Sequence, residues 1–171
     1  QSSERHEIQN SSFTGNSAPG ATAILIDEFD DTTNILIHGN CQFIDNGKFV
    51  NGDITDVIVS SAKKFSILDS SFKFSNPSSK SPRAIKILKQ ATIKNTFFSN
   101  VNGNYGENQG TAVYIPDEAG PITIDDCIFS DCGNNCGSNN AAIFIGSGES
   151  IQISNSKFNF SSFVFSNKHF T

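Results

Sequence analysis

Hydrophobic and polar residues alternate in short segments that recur along the chain at intervals of 26 to 31 residues. The first segment of each repeat follows the pattern of an I-x-I pair in which the second isoleucine is always present, while His6, Phe65 and Ala91 take the first isoleucine position of the first, third and fourth copies. The second isoleucine of the pair is Ile8, Ile37, Ile67, Ile93, Ile124 or Ile153. A second alternating segment follows at residues 21–26, 55–59, 83–87, 111–115 and 141–145, and a shorter one at residues 163–165. Alternation with period two is typical of strands, and no segment has the apolar spacing of an amphipathic helix. Each repeat is therefore predicted to contain at least two strands.

One phenylalanine follows each I-x-I pair by five or six residues. These residues are Phe13, Phe43, Phe72, Phe98, Phe129 and Phe158. If equivalent residues of successive repeats stack, the six rings form a ladder inside the protein. Phenylalanine suits such a ladder because its ring carries no polar group that would need a buried partner. We predict that these six residues form a core ladder.

A repeat of about 29 residues is too short to bury its own apolar face, whereas stacked repeats bury one another. We therefore predict one all-β domain over residues 1–171, a right-handed parallel β-helix (solenoid) of about six coils with roughly 29 residues per coil. A β-sandwich is the alternative fold, but it does not require the same residue at the same position of each repeat. Because the chain begins with Gln1 and contains no Met, we expect it to be a processed part or a fragment of a longer protein.

Composition and charge limit the classes of partner. The net charge is −5, and the only two arginines are Arg5 and Arg83, so the clustered positive charge that nucleic-acid binding requires is absent. No apolar run approaches the roughly 20 residues that span a bilayer, so no membrane contact is predicted within this segment. The sequons at Asn10 and Asn159 are candidate glycosylation sites and favour the secretory route.

The repeat resembles that of the chlamydial polymorphic membrane proteins and similar surface proteins, which combine FxxN with GGA followed by Ile, Leu or Val. FxxN is intact at residues 13–16, 43–46 and 97–100, although the third copy can be read from either Phe97 or Phe98. The second half of the motif appears as GTAVYI, ATAILI and NAAIFI, without a strict GGA. The resemblance implies a right-handed β-helix exposed on a cell surface and used in adhesion.

Asp125 and Asp126 are the first candidates for chemistry, because paired carboxylates act as acid and base in carbohydrate-active enzymes. In the equivalent positions of the other repeats, Asp69 is the only other carboxylate, and it lies two repeats away. We therefore interpret the pair as a solvated turn and assign no catalytic residue.

A second acidic cluster contains Asp27, Glu28, Asp30 and Asp31. Calcium binds oxygen-rich clusters of this kind, but the EF-hand spacing is absent. A solvated acidic turn is the favoured interpretation. Calcium is the one metal hypothesis kept open, and no other cofactor is predicted.

The cysteines fall partly on repeat positions. Cys41 and Cys127 occupy a position held elsewhere by Ser or Thr, so a small, weakly polar, inward-facing side chain is predicted there. Three repeats separate them, about 14 Å, which is too far for a disulfide. Cys132 with Cys136, or Cys127 with Cys132, remain candidate disulfides within one coil.

Taken together, these patterns favour a non-enzymatic, extracellular or cell-surface repeat domain that acts in adhesion or structural assembly. Its expected partners are other copies of itself or flanking coils, and a glycan or a host or cell-surface protein. The alternative is a carbohydrate-active enzyme (a polysaccharide lyase or hydrolase) or a glycan-binding domain.

Overall fold

The computed structural model of the chain describes most of its residues. The described ranges are 4–18, 20–27, 33–47, 55–75, 82–102, 110–116, 119–133, 141–146, 150–161 and 163–165. These residues form eighteen strands and no helix, and accordingly none of them belongs to a helix that could cross a membrane. Successive triplets of strands make six stacked coils of a parallel β-solenoid, so the predicted fold class is confirmed.

The strands are short and regular in their order. Coils 1 and 2 contain β1 (Arg5–Gln9), β2 (Ser12–Thr14), β3 (Ala21–Ile26), β4 (Asn34–His38), β5 (Gln42–Ile44) and β6 (Asp56–Ser60). Coils 3 and 4 contain β7 (Lys64–Leu68), β8 (Ser71–Lys73), β9 (Arg83–Ile87), β10 (Gln90–Lys94), β11 (Phe97–Ser99) and β12 (Gly110–Ile115). Coils 5 and 6 contain β13 (Ile122–Asp125), β14 (Ile128–Ser130), β15 (Ala141–Ile145), β16 (Ile151–Ser154), β17 (Lys157–Asn159) and β18 (Phe163–Phe165).

Three parallel six-stranded sheets run along the solenoid. Sheet A contains the first strand of each coil, sheet B the second and sheet C the third. The I-x-I segments form sheet A, and the later alternating segments form sheet C. The three-residue segments around the phenylalanines form sheet B, a strand that the sequence pattern did not separate from its neighbours. Every strand pair is parallel, as coils that wind in one direction require.

The predicted phenylalanine ladder forms the centre of sheet B. Neighbouring rings lie 4.6–5.1 Å apart between centroids, and their planes are within 8° of parallel. The four inner rings are fully buried, whereas Phe13 and Phe158, at the two ends, are partly buried. Phe98 belongs to the ladder, and Phe97 pairs instead with Ser71 and Ile128 on the two neighbouring strands.

The turn between sheets A and B holds one asparagine or aspartate per coil in the left-handed backbone region. Their φ values lie between 46° and 65° for Asn10, Asn40, Asp69, Asn95, Asp126 and Asn155. Asn and Asp tolerate this conformation better than other residues with a side chain, because their short polar groups bond locally to the backbone. The recurring Asn and Asp residues of the sequence therefore close the coil at a fixed point.

A second left-handed turn follows sheet B. Asp45, Asn100 and Asp131 occupy it in three coils, with φ values of 49° to 57°. Asn100 is thus equivalent to Asp45 and not to Asn46, so the third FxxN copy is displaced by one residue from the first two. The coil closes by the same backbone turn in either case.

Candidate functional site

Asp125 lies at the outer end of β13 and contacts both neighbouring coils. Its carboxylate accepts hydrogen bonds from the Ser154 hydroxyl and the Asn155 side-chain amide, each at 2.8 Å. The Lys94 ammonium lies 3.2 Å from the other carboxylate oxygen. The hydrogen bond from Asn155, followed by those from Ser154 and Lys94, lowers the pKa of Asp125. An ionised carboxylate with three partners is suited to linking coils and is a poor proton donor at neutral pH.

Asp126 differs from Asp125 in its position, because it is the residue of coil 5 that adopts the left-handed turn, with φ at 52°. Asp69 occupies the same turn column, and Asn95 lies between the two in coil 4. Asn95 donates a side-chain hydrogen bond to Asp69 at 2.6 Å. Asp69 and Asp126 are thus separated by two coil spacings, about 10 Å. The arrangement matches the turn interpretation of the acidic pair.

The residue after this first turn supplies an inward-facing hydrogen-bond donor in every coil. Ser11, Ser70, Thr96 and Ser156 donate to the carbonyl oxygen two residues earlier at 2.8–3.0 Å. Cys127 does the same through sulfur at 3.3 Å, and Cys41 donates to the carbonyl three residues earlier at 3.1 Å. The predicted small, weakly polar, inward-facing position is therefore confirmed.

Cys127 and Cys132 are buried free thiols in this structure. Burial raises the pKa of Cys127 to about 11 and that of Cys132 to about 12. Cys132 donates to the carbonyl oxygens of Ser130 at 3.5 Å and Phe98 at 3.6 Å. Cys136, the other candidate disulfide partner, lies outside the described residues, so its pairing stays a prediction. A protonated, enclosed thiol is a weak nucleophile and a weak metal ligand.

The calcium hypothesis falls largely outside the described part of the chain. Asp27 is exposed directly after β3, whereas Glu28, Asp30 and Asp31 are not among the described residues. Within the ranges given above, no three His, Cys, Asp or Glu side chains gather as a metal site would require. Calcium binding by this acidic turn therefore remains a hypothesis.

Both glycosylation candidates are exposed on the outside of the solenoid. Asn10 forms the first turn of coil 1, and Asn159 ends β17. Next to Asn159, Phe160 is 80% exposed. Folding thus leaves both sequons accessible, while their modification remains a prediction.

Sheet C contains a buried ion pair that the sequence pattern did not predict. The Arg83 guanidinium donates through Nε and Nη2 to the two oxygens of Asp56, with the Nη2 contact at 3.0 Å. Both residues are 5% exposed or less. The guanidinium also lies 4.4 Å from the Tyr114 ring centroid, and that ring stacks on Phe144 at 5.8 Å. Asp56 and Arg83 occupy paired positions in adjacent repeats, and comparing the opposite charges of those two positions would have found the contact.

Burial raises the pKa of Asp56, and the hydrogen bonds and charge of Arg83 oppose that effect. Asp56 contacts Arg83, Arg83 contacts Tyr114, and Tyr114 contacts Phe144. Each of these contacts joins one coil to the next. The group therefore extends across four coils and links them along the solenoid axis.

A shallow depression of about 210 Å³ lies over the first-turn column of coils 2 to 4. Its polar lining includes Asn40, Gln42, Asp69, Ser71 and Asn95. Amide, hydroxyl and carboxylate groups at such spacing can bond the hydroxyls of a sugar. The described residues that line it include no aromatic side chain, the group that often supplies a platform for a sugar ring.

Comparison with known proteins identifies no relative of this chain. Neither the protein-family models, nor the curated proteins, nor the solved structures contain a match to this chain.

Proposed function

We propose that the protein is a non-enzymatic, extracellular or cell-surface β-solenoid domain that serves as a rigid module in adhesion or assembly. The observation that carries this proposal is the direction of its polar contacts. Outward and turn side chains bond mainly to residues of the neighbouring coil, where they stabilise the stack.

Several contacts illustrate this use of polar groups. Asp125 contacts coils 4 and 6, Asn95 donates to Asp69, and Arg83 to Asp56. An acid–base site needs groups that converge on a substrate with separated pKa values. Carboxylates held by partners in adjacent coils are better placed to hold the solenoid together than to transfer protons.

The FxxN motif, on which the resemblance to surface proteins rests, has a structural role in the two copies that are structurally equivalent. Asn46 donates from its side chain to the Phe13 carbonyl at 2.7 Å and accepts from the Asn16 side chain at 2.8 Å. Asn46 is fully buried. The motif asparagine thus satisfies backbone groups between coils, which accounts for its spacing from the ladder phenylalanine.

The test combines attachment with turnover. Beads coated with the protein are added to cultured epithelial cells, and the soluble protein is incubated with a panel of uronate polymers. We expect attachment by the folded protein and its loss after heat denaturation, with no polymer cleavage. Cleavage that Asp125→Ala or Asp126→Ala abolishes would overturn the proposal, and so would the absence of both attachment and self-association.

Glycan binding is the second candidate function, and the polar depression favours it. Asp69→Ala should then reduce the retention of the protein on a glycan array, because Asp69 is the only carboxylate among the described residues that line the depression. Asp125→Ala, which changes a carboxylate elsewhere on the surface, is the matched control. Equal retention of the two variants and the wild type would argue against this site.

A further inference from the structure

Phe97 lies on the outer face of sheet B, beside the polar depression. The strand pairings place six residues in one column across the coils: Ser12, Gln42, Ser71, Phe97, Ile128 and Lys157. Each of them directly precedes a ladder phenylalanine, and side chains alternate along a strand, so this column points away from the core. Gln42 and Ser71 also line the depression. The position of Phe97 is therefore one coil spacing, about 4.8 Å, beyond Ser71, at the edge of the depression.

The neighbouring coils hold Phe97 in place and leave one side of its ring accessible. Its N–H donates to the carbonyl of Ser70, a residue of the lining, at 3.0 Å. On the side of coil 5, the aliphatic side chain of Ile128 stands in register with Phe97 and supports the ring. On the side of coil 3, the residue in register is Ser71, and the ammonium of the exposed Lys73 lies over the ring, 5.9 Å from its centroid. Because serine is small and the lysine is exposed, a ligand in the depression can reach this side of the ring.

The fold uses only part of the hydrogen-bonding capacity of the depression. Asn95 donates to one carboxylate oxygen of Asp69 at 2.6 Å. Among the described residues, no hydrogen bond reaches the other oxygen of Asp69 or the side-chain amides of Asn40 and Gln42. Asp125 differs from them, because its carboxylate is held by residues of both adjacent coils. The lining therefore offers both donors and acceptors to the hydroxyl groups of a sugar.

We propose that Phe97 and the depression together bind a neutral glycan, with the C–H face of one pyranose ring on Phe97 and the hydroxyls of the next ring bonded to Gln42 and Asp69. This inference rests on the glycan-binding function proposed above, and it names the class of ligand and the platform residue. Ligand sites commonly combine an aromatic surface with a few polar groups that fix the orientation of the ligand. From Gln42 to Phe97 the site extends over two coil spacings, about 10 Å, so it accommodates a short oligosaccharide that runs along the solenoid axis.

The charges at the site favour a neutral ligand over an acidic one. The Asp69 carboxylate in the lining would repel the carboxylate of a uronate or the sulfate of a sulfated sugar. The Lys73 ammonium over the ring has the opposite charge, so the two charges cancel and do not attract an anion. Lys94, the residue before Asn95, is paired with Asp125 at 3.2 Å. The specificity of the site is therefore expected to depend on stacking and hydroxyl contacts.

An array of immobilised oligosaccharides tests the inference. It carries neutral glucans, galactans and mannans beside polygalacturonate and heparin fragments, and the retained protein is measured over a concentration series. We expect retention on at least one neutral glycan. The apparent Kd should be the same at about 0.05 M and about 0.5 M salt, because salt screens charged contacts only. Retention on the acidic glycans alone, or on no glycan, would overturn the inference.

Two variants test the platform, and two serve as controls. Phe97→Val removes the ring and keeps a residue that suits a strand, so it should raise the apparent Kd about tenfold or more. Ser71→Leu should have the same effect while the ring stays, because a large side chain there covers the ring and fills the depression. Phe97→Tyr keeps the platform and should bind like the wild type. So should Phe160→Gly, which removes an 80% exposed ring of coil 6 and copies Gly15, the residue of coil 1 at the same turn.

The outcomes separate the platform from the functions proposed above. Circular dichroism shows whether each variant is folded, and if Phe97→Val is not, Ser71→Leu decides. If Asp69→Ala loses retention while a folded Phe97→Val binds like the wild type, the depression binds a glycan and the platform inference fails. Wild-type affinity in Ser71→Leu would also overturn the platform. If the protein mediates bead attachment but is retained on no glycan, glycan binding and its platform both fail and the adhesion proposal does not.

Discussion

Truncation of one ring in the middle of the phenylalanine ladder should destabilise the whole solenoid. Phe98 is fully buried, and its ring centroid lies 5.1 Å from that of Phe72 and 4.9 Å from that of Phe129. Replacing a buried Phe by Ala costs about 3–5 kcal/mol, and losing two stacked ring neighbours places Phe98→Ala in the upper half of that range. For a chain of this size, a loss of roughly 4–5 kcal/mol lowers the Tm by roughly 8–20 °C.

Equilibrium urea unfolding followed by circular dichroism measures this loss. Phe13→Ala is the matched control, because Phe13 has one ring neighbour among the described residues and is only partly buried. Its free energy of unfolding should fall by less than half as much. The comparison requires equal m-values, since coils that unfold separately would lower the m-value. Equal losses for the two variants, or a loss below about 1 kcal/mol for Phe98→Ala, would refute the ladder as a source of stability.

Two further predictions concern charges. Arg83→Met should destabilise the fold by about 3–5 kcal/mol by leaving Asp56 buried without its partner, and the double variant with Asp56→Val should recover most of that loss. A carboxyl whose pKa is raised in the folded state favours folding at low pH and opposes it as pH rises. The loss of unfolding free energy caused by Arg83→Met should therefore grow from pH 3 to pH 7 when it is measured by urea unfolding. A loss that stays constant over this range would contradict the prediction. The Asp125 carboxyl should titrate by NMR below its ordinary value of 3.8, so its contribution to stability is lost as pH falls through that lowered pKa. Asn155→Gly and Lys94→Met should each raise this midpoint, because each removes a hydrogen bond that lowers the pKa of Asp125, and an unchanged midpoint in either variant would contradict the assignment of that partner.

The fold followed from the sequence wherever one rule governs every repeat. The isoleucine pairs and the phenylalanines recur because each coil must fill the same part of the core, so their spacing gave both the coil length and the ladder. The position shared by Ser11, Cys41 and Cys127 followed from the same comparison. Such positions are predictable because a solenoid repeats one environment many times.

Features that depend on one coil were not predictable in the same way. Phe97 and Phe98 both fit a phenylalanine position, and the choice between them depends on Asn100 taking the left-handed turn after β11. Similarly, Asp56 and Arg83 stand at matching positions, but the sequence does not reveal that both side chains are buried. The pattern of apolar and polar residues indicates which face of a strand is apolar, but it does not indicate which polar side chains are buried.

The serines that occupy the position of Cys127 in other coils explain the role of Cys127 in coil 5. Cys127 and Ser156 occupy the same position in adjacent coils, and each donates a hydrogen bond to the carbonyl two residues earlier. The longer contact of Cys127, 3.3 Å against 2.8 Å, reflects the larger sulfur atom. A thiol can donate only while it keeps its proton, and burial raises the pKa of Cys127 so that it does. Since nucleophilic attack and zinc binding both need the thiolate, the environment that suits Cys127 to this hydrogen bond is unsuited to either reaction.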